Sequence, residues 1–330
     1  MLCASPIPFR SGVRRCETCS KCLRAKRAQV VARLLIEALA HERVSFVTLT
    51  YAPANLPAGG TLHRPDLRAF LKRLRRTYQY NLACDPRTSN LPPDLLAEQS
   101  RLRFFTAGEY GERFARPHFH VVTYGADKGT TINGEPFAKM VNRSWGLGST
   151  HIGSTFTDAA ASYCASYAAK GMTKKGLPVL EGRSPEFAAW PKKPGLGVAG
   201  LPILLRRLLG GVEPAEFVAR HGALPSSALL NGKVHTFGRY LTPKLYEAAG
   251  FNPREYAVLR EFQSLNRSSE ARDAHLVALL GEALSTGDLG LEEAVTSILE
   301  RPEAAPSLAD AADKVRASIK AKVAPRRPSA

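Results

Sequence analysis

Apolar positions recur along this chain at two different periods, and the switches between them mark the elements. Val31, Leu34, Leu35, Ala38 and Leu39 repeat at helical spacing, which predicts a helix from about Leu23 to His41. "VSFVTLTY" (44–51) alternates instead and reads as a strand, ending in the turn-prone "APANLPAGG". "HRPDLRAFLKRLRRTYQY" (63–80) returns to the helical period with Phe70, Leu71 and Leu74 inward, and the polar run 81–100 reads as a loop. "LRFFTAGEYG" (102–111) and "PHFHVVTYG" (117–125) are two strands joined by "ERFARP", an antiparallel hairpin. A short helix in "EPFAKMVNRSWG", a strand in "STHIGSTF" and an Ala-rich helix over 157–175, breaking at Gly171, complete the central part. Beyond residue 200, helical patterns such as "REYAVLREFQSLN" and "LEEAVTSILE" dominate, and "KVAPRRPSA" reads as a frayed end. The pattern predicts an α+β fold: an antiparallel sheet flanked by helices, expected against one face, and a mainly helical C-terminal region. It divides the chain into 1–41, 42–200 and 201–330.

Charge changes this picture. A formal net charge of +17 on 330 residues exceeds what solubility needs and points to a polyanionic partner, nucleic acid before membrane. The longest apolar run, "VVARLLIEALA", is interrupted by Arg33 and Glu37, so no membrane span is expected. The start lacks a signal-peptide apolar region, which predicts a cytoplasmic protein with reduced cysteines. On helix 63–80, Arg68, Lys72, Arg75 and Arg76 have almost no acid to balance them and read as a phosphate-facing surface. Arg116, Lys174 and Lys175 extend the set of candidate nucleic-acid contacts.

Candidate chemistry begins with "RPHFHVV" (116–122). Strand side chains alternate, so His118 and His120 share one face while Phe119 points into the opposite layer. Two imidazoles are good divalent-metal ligands and want a carboxylate as third. Glu109, on the preceding strand of the hairpin, is the candidate; Glu112, in the turn, is its rival. Surface histidines without a ligand are the plainer account of an isolated H-x-H.

The Ala-rich helix carries Tyr163, Tyr167 and Lys170 at i, i+4 and i+7, with Lys174 continuing the stripe, so all share a face. Two packed aromatics with a passing lysine is the structural account. A phenol, with its pKa near about 10, becomes a nucleophile only where an ammonium or a bound metal favours the phenolate. Histidines, a carboxylate, paired tyrosines, a lysine and a basic surface together fit transesterification of a DNA phosphodiester through a phosphotyrosine.

An apolar residue between paired histidines is the signature of the HUH endonucleases, and three segments resemble the replication initiation proteins of small single-stranded DNA phages, the microviruses. "FVTLTY" resembles the first motif of that family, "GEYGERFARPHFHVVTYG" the metal motif and "YCASYAAK" the tyrosine motif. "PEFAAWPKKPGLG" (185–197) resembles a segment that follows the tyrosine helix there. Two departures are residues 77–100, which look like an insertion, and Ser166, where a bulkier or basic residue is expected. The resemblance implies an HUH-type nuclease fold and rolling-circle initiation. His118, His120 and Glu109 would hold Mg²⁺ or Mn²⁺, and Tyr163 or Tyr167 would attack single-stranded origin DNA, leaving a 5′-phosphotyrosine and a free 3′ hydroxyl before the strand is rejoined. Lys170 would position the phosphate. No phosphate-binding nucleotide motif occurs ("GADKGTT", 125–131, comes closest), so no nucleotide cofactor is expected and unwinding falls to a host helicase, with a host polymerase extending the 3′ end in the bacterial cytoplasm.

Cys3, Cys16, Cys19 and Cys22 crowd into the first 22 residues, beside Arg14, Arg15, Lys21, Arg24, Lys26 and Arg27. They read as a Cys₄ structural zinc site or as unligated thiols. An iron–sulfur cluster fits less well, since Lys26 stands where a fourth cysteine of the bacterial run belongs. Two other functions share parts of this pattern: a non-catalytic, zinc-stapled DNA- or RNA-binding protein, and a metal-dependent phosphoesterase that activates water.

Overall fold

A computed structural model describes residues 3–9, 12–111, 114–153, 156–170, 182–257, 259 and 260. Two compact units divide it: one spans the chain to Gly200 together with Leu229–Thr236, the other takes Leu201–Ala228 and the described residues from Phe237.

In the first unit a small hairpin of β1 (Ile7–Phe9) and β2 (Gly12–Arg14) leads into α1 (Ser20–Ala38) and β3 (Val44–Tyr51). α2 (Arg64–Cys84) and the short α3 (Pro93–Gln99) follow. Residues 81–100 are therefore not a plain loop: α2 continues a turn further, and Pro93, with its fixed φ, opens an extra helix that its turn-like surroundings concealed in the sequence. β4 (Arg103–Tyr110) and β5 (Pro117–Tyr124) form the expected hairpin. The two-residue strands β6 (Thr131–Ile132) and β7 (Glu135–Pro136), α4 (Phe137–Trp145) and β8 (Gly148–Ile152) come next. α5 (Asp158–Lys170) and β9 (Phe187–Ala189) complete the main fold. The expected break at Gly171 lies outside the described residues.

The sheet has the order β8-β3-β5-β4-β9, antiparallel throughout, with β5 at its centre. Alternation on its strands sorts two faces. Val47, Leu49, Tyr51, Phe104, Phe119, Val121 and Phe187 meet Leu67, Phe70, Leu74 and Tyr78 of α2 and Phe137, Met140, Val141 and Trp145 of α4 in the main core. Trp145 also donates its indole N–H to Thr50 O at 3.1 Å, so the buried ring keeps a partner. Gly148 lets β8 start tight against β3; a Cβ there would stand 2.1 Å from Thr50 O.

The opposite face is covered by α1 and α5, which pack along each other. Tyr124 of β5 donates to Leu34 O of α1 at 3.1 Å. Glu37 of α1 is fully buried, accepts from Arg103 of β4 and from the backbone N–H of Gly197 at 2.6 Å, while Arg103 also reaches Pro194 O at 3.0 Å. Each buried charge is thus paired and hydrogen-bonded. The fold is the expected α+β arrangement of antiparallel sheet and flanking helices, with one correction: helices lie on both faces, not one. The Ala-rich surface of α5 permits the close approach to α1 that covers the second face.

The second unit contains α6 (Leu201–Leu209), α7 (Pro214–His221) and α8 (Gly238–Ala248), with α6 packed on α8. Between them the chain forms β10 (Ser227–Leu230) and β11 (Lys233–Thr236). Tyr246 of α8 accepts from the backbone N–H of Leu224 at 2.9 Å. The helical pattern expected in "REYAVLREFQSLN" is observed over 253–257, and "LEEAVTSILE" and the C-terminal end lie outside the described residues. Among the described residues no helix is long and apolar enough to cross a membrane.

Phe119 is fully buried beneath the two histidines, against Tyr51 and Trp145. Phe119→Ala is expected to lower the unfolding free energy by about 3–5 kcal/mol in a denaturant titration, the usual loss for emptying an aromatic core position. A loss below about 1 kcal/mol would contradict this packing.

Candidate metal centre and tyrosine helix

Strand register builds the site. β4 and β5 place Glu109 directly opposite His118 and Ala107 opposite His120, while β3 places Thr48 opposite His120. Directly opposed residues share a face, so one carboxylate and two imidazoles converge on the α5 side of the sheet. Glu109 Oε1 lies 2.5 Å from His118 Nε2 and 2.6 Å from His120 Nε2. Glu109 and His120 are buried at 6% and 4% exposure, so the cluster is shielded from bulk water on its sheet side.

Both rings are oriented from behind. His118 Nδ1 donates to Arg116 O at 3.1 Å; a carbonyl only accepts, so Nδ1 carries the proton and Nε2 turns its lone pair toward Glu109. Thr48 Oγ1 stands 3.2 Å from His120 Nδ1, and Phe46 stacks on the same ring with centroids 5.2 Å apart. A neutral imidazole lone pair and a carboxylate oxygen at 2.5 Å repel each other unless a proton or a metal cation lies between them. That geometry, with three donor atoms of the cluster within 4.8 Å of one another, fits a divalent cation. In the absence of a cation the proton takes its place. Burial pulls the pKa of His118 down, but its hydrogen bond to Glu109 and the carboxylate charge outweigh this and raise it overall.

α5 brings the phenol. Tyr163 Oη donates to the same Glu109 Oε1 at 3.0 Å, and its ring meets His120 edge-on with centroids 5.2 Å apart. Four candidate residues, Glu109, His118, His120 and Tyr163, are therefore gathered at a single point, and Tyr163 is 43% exposed, so a ligand can reach its oxygen. Tyr167 and Lys170 follow on the same helix at i+4 and i+7; their side chains lie outside the described residues, as do Lys174, Lys175 and the rival ligand Glu112. Ser166 closes onto Tyr163 O of its own helix at 2.6 Å. Sequence reasoning missed Thr48 and the Arg116 carbonyl as orienting groups. The alternation of "FVTLTY" was the available signal for Thr48, but only the register shows which threonine meets which histidine.

The basic residues are placed differently. α2 covers the sheet face opposite the histidines, so Arg68, Lys72, Arg75 and Arg76 are not brought to this site. Arg68, Lys72 and Arg76 are exposed, whereas Arg75 lies over Phe104 at 4.7 Å and donates to Leu102 O. Arg116 donates to Tyr51 O at 2.7 Å. For Arg75 and Arg116 the phosphate-facing expectation gives way to contacts with the protein's own rings and carbonyls. These partners come from distant segments, which the charge pattern does not reveal.

A second cluster stands apart. The sulfurs of Cys3, Cys16, Cys19 and Cys22 lie within 4.8 Å of one another. The Cys16 thiol is lowered to about 5 chiefly by N–H donors of Cys19 and Thr18, while burial pushes the Cys22 thiol up to about 12.

Fold and donor set together define an α+β protein with a candidate metal centre beside a tyrosine-bearing helix. Comparison adds a name for that class: residues 44–172 match the family model of the replication-associated protein ORF2. The chain is also similar to the replication-associated protein ORF4 of Chlamydia phage 1, at 30% identity over 110 residues, which is 33% of this chain and 23% of that protein. The chain thus spans less than a quarter of the length of the curated relative it matches. No solved structure matches it. Both matches are to replication-associated proteins, one of them a phage's, which bears out the resemblance drawn from the motifs.

Two outcomes follow for the metal centre. Thr48→Val removes the partner of His120 Nδ1 and is expected to weaken Mn²⁺ binding by about 10–100-fold in a calorimetric titration. Because the proton affinity of His118 is raised, proton and metal compete from a higher pH than for a free imidazole. Apparent Mn²⁺ affinity is therefore expected to fall as pH drops through that range, and a pH-independent affinity would contradict the ligand assignment.

Proposed function

We propose that this protein initiates replication of a phage genome by nicking single-stranded origin DNA through a tyrosine, in the manner of HUH endonucleases, and later rejoins the strand. The observation that carries the reading is the convergence of Tyr163 Oη and both imidazole Nε2 atoms on Glu109 Oε1. The matches to replication-associated proteins support the same reading.

Glu109, His118 and His120 would hold Mg²⁺ or Mn²⁺, which supplies Lewis-acid polarisation of the scissile phosphate. Tyr163 stands beside that phosphate position with its proton already directed at a carboxylate oxygen. As the phenol oxygen bonds to phosphorus, the phenol proton leaves, the P–O3′ bond breaks and the 3′ oxygen takes up a proton. The products are a 5′-phosphotyrosine and a free 3′ hydroxyl. Tyr167, one turn on, would serve as the second nucleophile, so that one phenol holds the strand while the other cuts the regenerated origin. Lys170, one turn further, would position the phosphate and offset its developing charge. The exposed cations Arg68, Lys72 and Arg76 would then contact DNA away from the cut, on the other face of the sheet. A host helicase and polymerase would open and extend the duplex.

Incubation with origin-bearing single-stranded DNA and Mn²⁺, followed by denaturing electrophoresis, tests the reading: a covalent protein–DNA adduct is expected. Cleavage without adduct would instead indicate a water-activating phosphoesterase, and binding without cleavage a non-catalytic nucleic-acid binder. Tyr163→Phe and Tyr167→Phe are each expected to retain some single-turnover nicking, while the double variant forms no adduct. An adduct from the double variant would overturn the nucleophile assignment.

A further inference from the structure

We propose that Cys3, Cys16, Cys19 and Cys22 bind one structural zinc ion that staples the N-terminal hairpin to the start of α1. This site is independent of the nicking reading: the four cysteines precede the stretch matched by the replication-protein family model, 44–172.

Geometry carries the inference. Four sulfurs each about 2.3 Å from one zinc stand about 3.8 Å apart, the edge of a regular tetrahedron. The Sγ–Sγ separations are 3.6 Å for Cys3–Cys22, 3.9 Å for Cys3–Cys19 and 4.0 Å for Cys16–Cys22. None approaches the roughly 2.05 Å of a disulfide, and all six cysteines of the chain are free thiols. Backbone N–H groups aim at the sulfurs: Cys16 N reaches Cys3 Sγ at 3.3 Å and Cys19 N reaches Cys16 Sγ at 3.2 Å. Such donors suit sulfur that carries negative charge, as a metal thiolate does, far better than a neutral thiol.

The backbone is shaped for it. Glu17 takes a left-handed φ of 64°, which turns the chain so that Cys16 and Cys19 face one point. Cys19 caps α1 and Cys22 lies in its first turn, so the helix N-terminus adds its positive end to the thiolates.

Need points the same way. β1 and β2 are three residues each and pair only with each other, and a lone two-stranded hairpin is marginal in water. Ile7 and Val13 are 39% and 75% exposed, so apolar packing does not hold them. A tetrahedral ion joins the segment before β1, the turn after β2 and the first turn of α1. The stapled end of α1 reaches α5 directly, since Arg27 donates to Ser162 O at 3.1 Å, next to Tyr163.

The test is metal analysis of the purified full-length protein. About one zinc per chain is expected, retained by His118→Ala/His120→Ala and by Cys84→Ser, and lost from Cys19→Ser. Cobalt(II) exchanged into the unmutated chain should give the intense visible absorption of a tetrahedral thiolate centre, which decides the matter should Cys19→Ser fail to fold. Folded protein without zinc, zinc lost with the histidines, or iron in place of zinc would each overturn the proposal.

Discussion

The pairing of Glu109 with His118 across β4 and β5 is the constraint on which the site depends. Antiparallel hydrogen bonding fixes it to the residue, and with it the meeting of a carboxylate with two imidazoles that alternation alone had placed on one face. Everything else at the centre is support for that contact. The Arg116 carbonyl and Thr48 aim the rings, Phe46 stacks behind one of them, and α5 lowers a phenol onto the shared oxygen. A buried ion pair one layer away, Glu37 with Arg103, ties α1 to β4 and so fixes the helix against which α5 lies.

Much of this was legible in the sequence because it obeys short-range periodicity. A period of two placed His118 and His120 together and Phe119 opposite; a helical period placed Tyr163 and Tyr167 on one stripe. Proximity of Glu109 followed from a short hairpin loop. Less legible were features set by distant partners. The register that matches Thr48 to His120 depends on a strand far earlier in the chain, and nothing local encodes it. α2 announces an apolar stripe and a basic one but not which sheet face it will cover, so its cations were expected near the chemistry and stand across the sheet from it. α3 escaped notice because Pro92 and Pro93 look like loop residues until the second becomes the first turn of a helix.

The two clusters differ in how their donors are supplied. At the metal centre the three donors come from strands locked by neighbouring strands, and two further groups orient the rings, so the geometry precedes any cation. At the cysteines the donors come from a short hairpin, a turn and a helix start with little core between them. There an ion would contribute to the fold itself rather than merely occupy a finished pocket.

β5 has a further consequence. Its odd-numbered side chains Phe119 and Val121 are walled into the hydrophobic interior, while the even-numbered His118 and His120 serve the opposite chamber. Parity thus assigns each position its trade, and a shift of a single residue in this strand would exchange imidazole for benzene on both sides at once. Evolution can lengthen the loops around such a ribbon freely, yet within it folding and chemistry share one alphabet and have to be inherited together.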